Sequence, residues 1–216
     1  MNHPPAEPPR STTLAIAHLA ARLIAEDGLE YGPAKRRAAQ QLGLAHRPVQ
    51  WPDNDQLEDA LREHLALFHA DRQPAELRCL RELALHWMER LEPFRPHLTG
   101  AVWRGTATRH SDIHLDLYCD DPKSAEIELI NRQVPYQVNQ SGRGPTATDV
   151  LTLLVPCPNL EAGQPRRVAI HLHLFDLDDQ RGALRPDTRG RSRCGSRDAL
   201  IGLLAAPDPT SRSGDS

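Results

Sequence analysis

The sequence predicts an α+β fold, because its two halves follow different hydrophobic periodicities. In the first half, apolar residues recur every three or four positions, which is the spacing of one face of an α-helix. In the second half, apolar and polar residues alternate over two stretches, as in strands buried on one side only. Helices followed by a strand-rich half with one internal helix indicate a mixed or antiparallel sheet with flanking helices.

Four helices are predicted in the first half, over about residues 13–27, 34–42, 57–68 and 74–91. Gly28 and Gly43 end the first and second of them, and Pro33 suits the first turn of the second. The first, third and fourth of them carry a stripe of apolar side chains, and the second is short and basic. Such stripes predict packing against a core and do not indicate a function.

The strands of the second half are predicted from strict alternation over residues 112–118 and 168–175. The polar positions of these strands are Asp112, His114, Asp116, His171 and His173. Shorter strands are expected at 136–139 and 149–155, and helices at about 121–131 and 197–204. The chain is thus expected to comprise a disordered N-terminus (1–12), a helical region (13–97), a sheet-containing domain (98–205) and a disordered tail (206–216).

Composition excludes several classes of function. The 26 basic residues nearly balance the 29 acidic ones, so no overall charge excess indicates binding to nucleic acid or to a membrane surface. No apolar run reaches the roughly 18 residues of a membrane span, and the Pro-rich start does not resemble a signal peptide. The cysteines are widely spaced, which predicts reduced thiols in a cytoplasmic protein. They are Cys79, Cys119, Cys157 and Cys194.

The most specific signal is a pair of neighbouring motifs at the start of the sheet-containing domain. Leu98 to Thr106 indicates a strand followed by a glycine turn, and Ser111-Asp112-Ile113 opens the alternating strand that follows. This arrangement resembles the polymerase-β-like nucleotidyltransferase superfamily over about residues 98–176. The helical region, at residues 25–28 and 34–39, also resembles uncharacterised bacterial proteins that carry this domain.

The resemblance implies metal-dependent transfer of a nucleoside monophosphate from a nucleoside triphosphate to an acceptor hydroxyl, on RNA or on a protein. Asp112 would be the principal catalytic carboxylate and metal ligand, and Asp116 the second. Mg²⁺ or Mn²⁺ would be the cofactor, since carboxylates bind these ions. The nucleotide-binding residues that it implies are Arg104, Gly105, Thr106, Arg109 and Ser111.

This chain departs from the pattern of that superfamily at the metal site. The acidic pair, two residues apart, maps onto Asp112 and His114, so its second member is histidine. The strand expected to carry a third carboxylate offers His171 and His173 instead. Because Mg²⁺ prefers oxygen ligands, these substitutions argue against an unmodified two-metal site.

Four interpretations of this polar strand face remain open. The first is an enzyme with an altered site, in which Asp112 and Asp116 hold one metal ion. The second is a histidine-rich site for Zn²⁺, Mn²⁺ or Fe²⁺, formed by Asp112, His114, His171 and His173. The third is a catalytically degenerate module with the same fold, which binds a nucleotide or another protein. The last is the solvated face of an ordinary sheet.

Other chemistries find no support in the sequence. It contains no Gly-x-Ser-x-Gly elbow, no P-loop and no helix-opening dinucleotide fingerprint, which argues against a serine hydrolase, a P-loop NTPase and a Rossmann dehydrogenase. Residues 181–197 carry six arginines and one aspartate. This segment is either a loop that closes over phosphates or a solvated surface.

Overall fold

The computed structural model describes residues 9–44, 49–141, 148–158, 166–180 and 190–206. The helices within these ranges are α1 Pro9–Asp27, α2 Tyr31–Gln41, α3 Asn54–Phe68, α4 Gln73–Arg90, α5 Gly100–Arg104, α6 Lys123–Asn131 and α7 Arg197–Ala205. The strands are β1 His97–Thr99, β2 Ile113–Tyr118, β3 Tyr136–Ser141, β4 Thr148–Cys157 and β5 Arg166–Phe175. The predicted α+β class with N-terminal helices is confirmed. None of the described helices combines the length and apolar character needed to cross a bilayer.

The first three helices form a compact unit that comprises residues 1–73. Its core joins alanine-rich faces of α1 and α2 to the leucines of α3. α3 begins with a capping box, in which Oδ1 of Asp53 accepts from the amide of Gln56 at 2.7 Å. In return, Oε1 of Gln56 accepts from the amide of Asp53 at 3.0 Å. The box satisfies two amides near the helix N-terminus and fixes where α3 begins.

α4 belongs to the second compact unit, residues 74–216, rather than to the helical unit. Its buried Leu80, Ala84 and Met88 lie in the same apolar core as the strands of the sheet. The predicted boundary between residues 97 and 98 followed the change from helical to strand periodicity. The boundary between the compact units instead lies after Gln73. The apolar stripe of α4 predicted that the helix packs against a core, but it does not specify which one.

A five-stranded mixed sheet organises the second unit, with strand order β1-β2-β5-β4-β3. β2 and β5 are parallel, and the other neighbouring pairs are antiparallel. One face of the sheet carries the apolar residues of the alternating strands, such as Leu115 and Leu172, which are fully buried with α4 in the core. The opposite face carries the polar positions of β2 and β5. β5, the last of these five strands in sequence, lies at the centre of the sheet.

Two local expectations differ from the structure. Residues 9–12, predicted as disordered, open α1, because proline at the first helical position has a suitable φ and lacks the amide that would be unpaired there. The stretch from Leu98 to Gly105, predicted as a strand and a glycine turn, divides earlier: β1 ends at Thr99, and Gly100, with φ of 70°, begins α5. The predicted disordered segments at 1–8 and 207–216 lie outside the described residues.

Candidate functional site

The polar side of the sheet brings together the charged and imidazole side chains of β2 and β5. We call this group the histidine face: Asp112, which directly precedes β2, with His114, Asp116, His171 and His173. The parallel register aligns His114 with His171 and Asp116 with His173. Alternate residues of a strand share a face, so all five lie opposite the apolar core. The burial patterns of β2 and β5 confirm the alternation predicted for both strands.

His114 and His173 form a hydrogen-bonded pair between β2 and β5. Nδ1 of His114 lies 3.1 Å from Nε2 of His173. One nitrogen carries the proton and donates, while the other accepts through its lone pair. The ring of His171 stacks on that of His114, with the two centroids 4.8 Å apart. Burial, together with these neighbouring imidazoles, lowers the pKa of His114 to about 4, and burial lowers the pKa of His173, so the pair is uncharged at neutral pH.

A second chain of hydrogen bonds runs from β3 to Asp112. Nδ2 of Asn139 donates to Oγ1 of Thr152 over 3.1 Å, and Oγ1 of Thr152 lies 3.1 Å from Nδ1 of His171. Nε2 of His171 lies 3.4 Å from Oδ2 of Asp112. An ionised carboxylate only accepts hydrogen bonds, so Nε2 of a neutral His171 carries the proton and Nδ1 accepts from the Thr152 hydroxyl. This series of hydrogen bonds therefore fixes the orientation of the His171 side chain, which in turn holds Asp112.

We expect neutral His171 in the native protein to be protonated at Nε2. Thr152→Val removes the hydroxyl that donates to Nδ1, so the preference for this tautomer is expected to weaken, with Asp112 alone left to favour it. Long-range ¹H–¹⁵N spectra of the imidazole nitrogens distinguish the two tautomers. Thr99→Val is a matched control, because the Thr99 hydroxyl donates to the backbone oxygen of His114 and the exchange should leave His171 unchanged. A native His171 protonated at Nδ1 alone would contradict this series of hydrogen bonds.

Gly100 brings the backbone between β1 and α5 against the histidine face. Its φ of 70° lies in the left-handed region that favours glycine. A Cβ at this position would lie 3.4 Å from Cδ2 of His114. Arg104, at the other end of α5, is exposed, and its charge contributes to the lowered pKa of His114. The turn into α5 thus places the backbone of Gly100 against the histidine face, and α5 adds one cation, Arg104.

Gly105 and Thr106, predicted to hold phosphates, pack against α4 and the core. Gly105 ends α5 with a φ of 84°, and a Cβ there would lie 3.5 Å from Nη2 of Arg81 on α4. The guanidinium of Arg81 also donates to the carbonyl oxygens of Val102 and Trp103. Thr106 is only 1% exposed. Gly105 thus contacts α4, and the amide of Thr106 donates to the carbonyl of Ala101 in α5 at 3.0 Å. The glycine that contacts the histidine face is Gly100.

Ser111 and Arg109 of the predicted nucleotide-binding set shape the loop before Asp112. Oγ of Ser111 accepts from the amide of Thr108 at 3.0 Å, and the amide of Ser111 donates to the Thr108 carbonyl at 2.9 Å. The amide of Arg109 donates to Oε2 of Glu76 at 2.9 Å. These bonds close a tight turn and tie it to α4. The loop therefore holds Asp112 at the entrance to β2.

Asp116 lies at the far end of the histidine face from Asp112. Four residues of extended chain separate their Cα atoms by about 13 Å, and His114 stands between them. In the sheet register, Asp116 lies beside His97 of β1 and His173 of β5. Burial raises the pKa of Asp116 to about 6. The two carboxylates are therefore too far apart to bind the same Mg²⁺ ion, whose oxygen ligands lie at about 2.0–2.1 Å.

The donors of the histidine face do not fit the magnesium chemistry that the resemblance implies, because imidazoles separate the carboxylates. A histidine-rich site for Zn²⁺, Mn²⁺ or Fe²⁺ requires lone pairs that converge on one ion. Here His114 and His173 are hydrogen-bonded to each other, and His171 is engaged by Thr152 and Asp112. Across the described ranges, no three His, Cys, Asp or Glu side chains are arranged to hold a metal ion.

Three residues of this site were missed by the sequence analysis: Gly100, Asn139 and Thr152. A signal existed for Gly100, since glycine is one of the residues that most often mark a turn. Asn139 and Thr152 are ordinary polar positions of strands, and only the pairing of β3, β4 and β5 brings them to His171. Of the arginine-rich segment, residues 181–189 lie outside the described residues.

Comparisons with known proteins do not assign the chain to a family. A scan against protein-family models found no matching family, and a search of curated proteins returned no match.

Proposed function

We propose that this chain is a nucleotidyltransferase-like module that binds a nucleoside triphosphate on the histidine face without transferring it. The observation that carries the proposal is the hydrogen-bonded pair of His114 and His173, which stands where the resemblance places carboxylates. A carboxylate pair binds phosphates through bridging metal ions. Imidazoles instead bind phosphate oxygens directly, through N–H donors. The exchange of carboxylates for imidazoles favours direct binding.

The surroundings of His114 support a phosphate ligand. The exposed guanidinium of Arg104 adds a positive charge that acts on His114, and Gly100 brings a backbone without a Cβ close to the imidazole. His114 is partly buried, so a charge-assisted hydrogen bond is stronger there than in water. Each such bond contributes about 1.5–3 kcal/mol. Asp112, in contrast, opposes an anionic ligand through its own negative charge.

The separation of the carboxylates argues against transfer. Asp112 and Asp116 lie about 13 Å apart along the chain, so they do not jointly hold metal ions over one triphosphate. Asp116 is also largely buried, with a pKa raised to about 6, which makes it a poor permanent anion. The module thus retains a phosphate-binding surface and lacks the paired carboxylates that transfer requires.

A second candidate is the nucleotidyl transfer that the resemblance implies. In that reaction an acceptor hydroxyl attacks the α-phosphorus, a phosphodiester bond forms, and pyrophosphate and the hydroxyl proton leave. The hydrogen bond between His171 and Asp112 favours this candidate, because it orients the one carboxylate that lies in the matching position. The acceptor would be an RNA or a protein hydroxyl, and Asp112 would be indispensable.

Substitution of Asp112 separates the two candidates. Equilibrium dialysis with each of the four α-labelled nucleoside triphosphates, in EDTA or with Mg²⁺ or Mn²⁺, measures binding. Incorporation of the label into cell extract measures transfer. The variants are His114→Asn and Asp112→Asn, and the matched control is Asp120→Asn, an exposed carboxylate beyond the other end of β2. Thermal unfolding of each variant checks that it is folded.

For the binding module, we expect binding in EDTA that His114→Asn weakens by about tenfold or more. Asp112→Asn should leave binding unchanged or tighten it, since a negative charge near the phosphates is removed. The transferase instead requires binding and incorporation that depend on metal and disappear in Asp112→Asn. A folded protein that binds none of the four nucleotides would reject both candidates.

A further inference from the structure

Two cysteines that are far apart in sequence meet inside the sheet-containing unit. Cys79 lies on α4 and Cys157 is the last residue of β4, 78 positions later. Their Sγ atoms are 3.1 Å apart. This is only about 1 Å longer than a disulfide bond, so the two sulfurs need to approach each other by only that distance in order to bond. None of the four cysteines forms a disulfide in this structure, and all four belong to the described residues.

We propose that Cys79 and Cys157 are a redox-active thiol pair, which forms an internal disulfide by exchange with a low-molecular-weight disulfide such as glutathione disulfide. This inference does not depend on the nucleotide-binding function. The sequence predicted reduced thiols from their wide spacing. The packing of α4 against the sheet creates the pair.

The exposure of the two thiols sets the order of the exchange. Cys79 is partly exposed, whereas Cys157 is only 2% exposed. The Cys79 thiolate attacks one sulfur of glutathione disulfide, a mixed disulfide forms, and one glutathione thiolate leaves. Cys157 then loses its proton and attacks the Cys79 sulfur, so that the second glutathione thiolate leaves. Both leaving thiolates take up protons, and two protein thiols and one glutathione disulfide become one protein disulfide and two glutathione molecules.

The other two cysteines lack this arrangement. Cys119 and Cys194 are 6% and 4% exposed, so glutathione disulfide has little access to either. Burial and nearby carboxylates raise the pKa of both thiols, which further lowers their reactivity. They therefore provide internal controls.

The test uses the full chain in glutathione buffers of increasing oxidised fraction, followed by alkylation and peptide mass spectrometry. We expect the native protein and Cys119→Ser to lose two thiols, to become lighter by two hydrogen atoms and to yield a linked Cys79–Cys157 peptide. Cys157→Ser should stop at a glutathione adduct on Cys79, and Cys79→Ser should form neither product. Oxidation should also raise the midpoint of thermal unfolding by several degrees, because the bond closes a long loop.

Two results would overturn the proposal. One is the absence of the linked peptide from folded protein in fully oxidised glutathione. The other is a link that involves Cys119 or Cys194, or that forms only after denaturation in urea. If a serine variant fails to fold, Cys79→Ala and Cys157→Ala, which place no hydroxyl in the core, replace it.

Discussion

Replacing Asp116 by asparagine is expected to raise the free energy of unfolding near neutral pH by about 2–3 kcal/mol. The carboxyl is largely buried beside His97 and His173, and burial raises its pKa from 3.8 to about 6. Ionised Asp116 therefore destabilises the folded chain. Asparagine has nearly the same shape and no charge, so it removes this cost.

The gain in the free energy of unfolding from Asp116→Asn should vanish in acid. The folded chain keeps the proton on Asp116 up to about pH 6, whereas the unfolded chain loses it near pH 3.8. The stabilisation from this proton is complete below pH 3.8 and is lost as the pH rises through 6. The advantage of asparagine is thus absent at about pH 4 and complete above about pH 7.

His114 has the opposite pH dependence. Its pKa is lowered from 6.5 to about 4. As the pH falls, the unfolded chain is therefore protonated at this imidazole before the folded chain is, and stability is lost between pH 6.5 and about 4. The two groups offset each other in the native protein, and only the acid loss remains in Asp116→Asn. Urea unfolding at about pH 4.5, 6 and 7.5 measures both effects, with Asp120→Asn as the exposed control. A gain of equal size at every pH would contradict the assignment.

The second large effect is expected from Gly195→Ala, which should destabilise the sheet-containing unit by about 2–3 kcal/mol. Gly195 pairs with Leu98 of β1 through two backbone hydrogen bonds, of 2.8 and 2.9 Å. A Cβ on Gly195 would lie 2.1 Å from the indole of Trp103. That ring is itself held by a hydrogen bond from its Nε1 to the carbonyl of Ser192. Either the ring or the backbone pair must move.

Two further variants test the cause. Gly202→Ala adds the same methyl group on α7, where nothing lies within 4 Å, and should stabilise by about 0.5–1 kcal/mol as helical glycine is replaced. Trp103→Ala alone removes the indole, and adding Gly195→Ala to that variant should cost far less than in the native chain. Denaturant unfolding measures each free energy. Full additivity of the two changes would show that the clash is not with Trp103.

The alternation of β2 and β5 was predictable because side chains of a strand point to opposite faces in turn. It correctly grouped the three histidines with Asp112 and Asp116, and it separated them from the core. The pairing of His114 with His173, and of His171 with Asp112, was not predictable. Which strand lies beside which, and in what register, depends on contacts between residues 59 positions apart.

Two other features were not predictable for the same reason, because they too depend on contacts between distant residues. The apolar stripe of α4 has the same spacing whether it packs on helices or on a sheet, so the boundary at Gln73 was hidden. Gly100 and Gly105 both adopt positive φ, and each follows a polar residue, Thr99 or Arg104. Only the position of His114 distinguishes the glycine at the histidine face from the one against α4.

The central place of β5 governs how the chain reaches its native state. β1 with β2, and β3 with β4, form antiparallel pairs between nearby segments, and β5 must then enter between them. A parallel pair between strands so far apart in sequence forms slowly, because the entropy of loop closure is lost before the contacts form. On the ribosome, both pairs emerge before residues 166–175 do, and each exposes an unpaired strand edge until β5 arrives. The β2 side chains of the histidine face consequently gain their partners, His171 and His173, in the same step that completes the sheet.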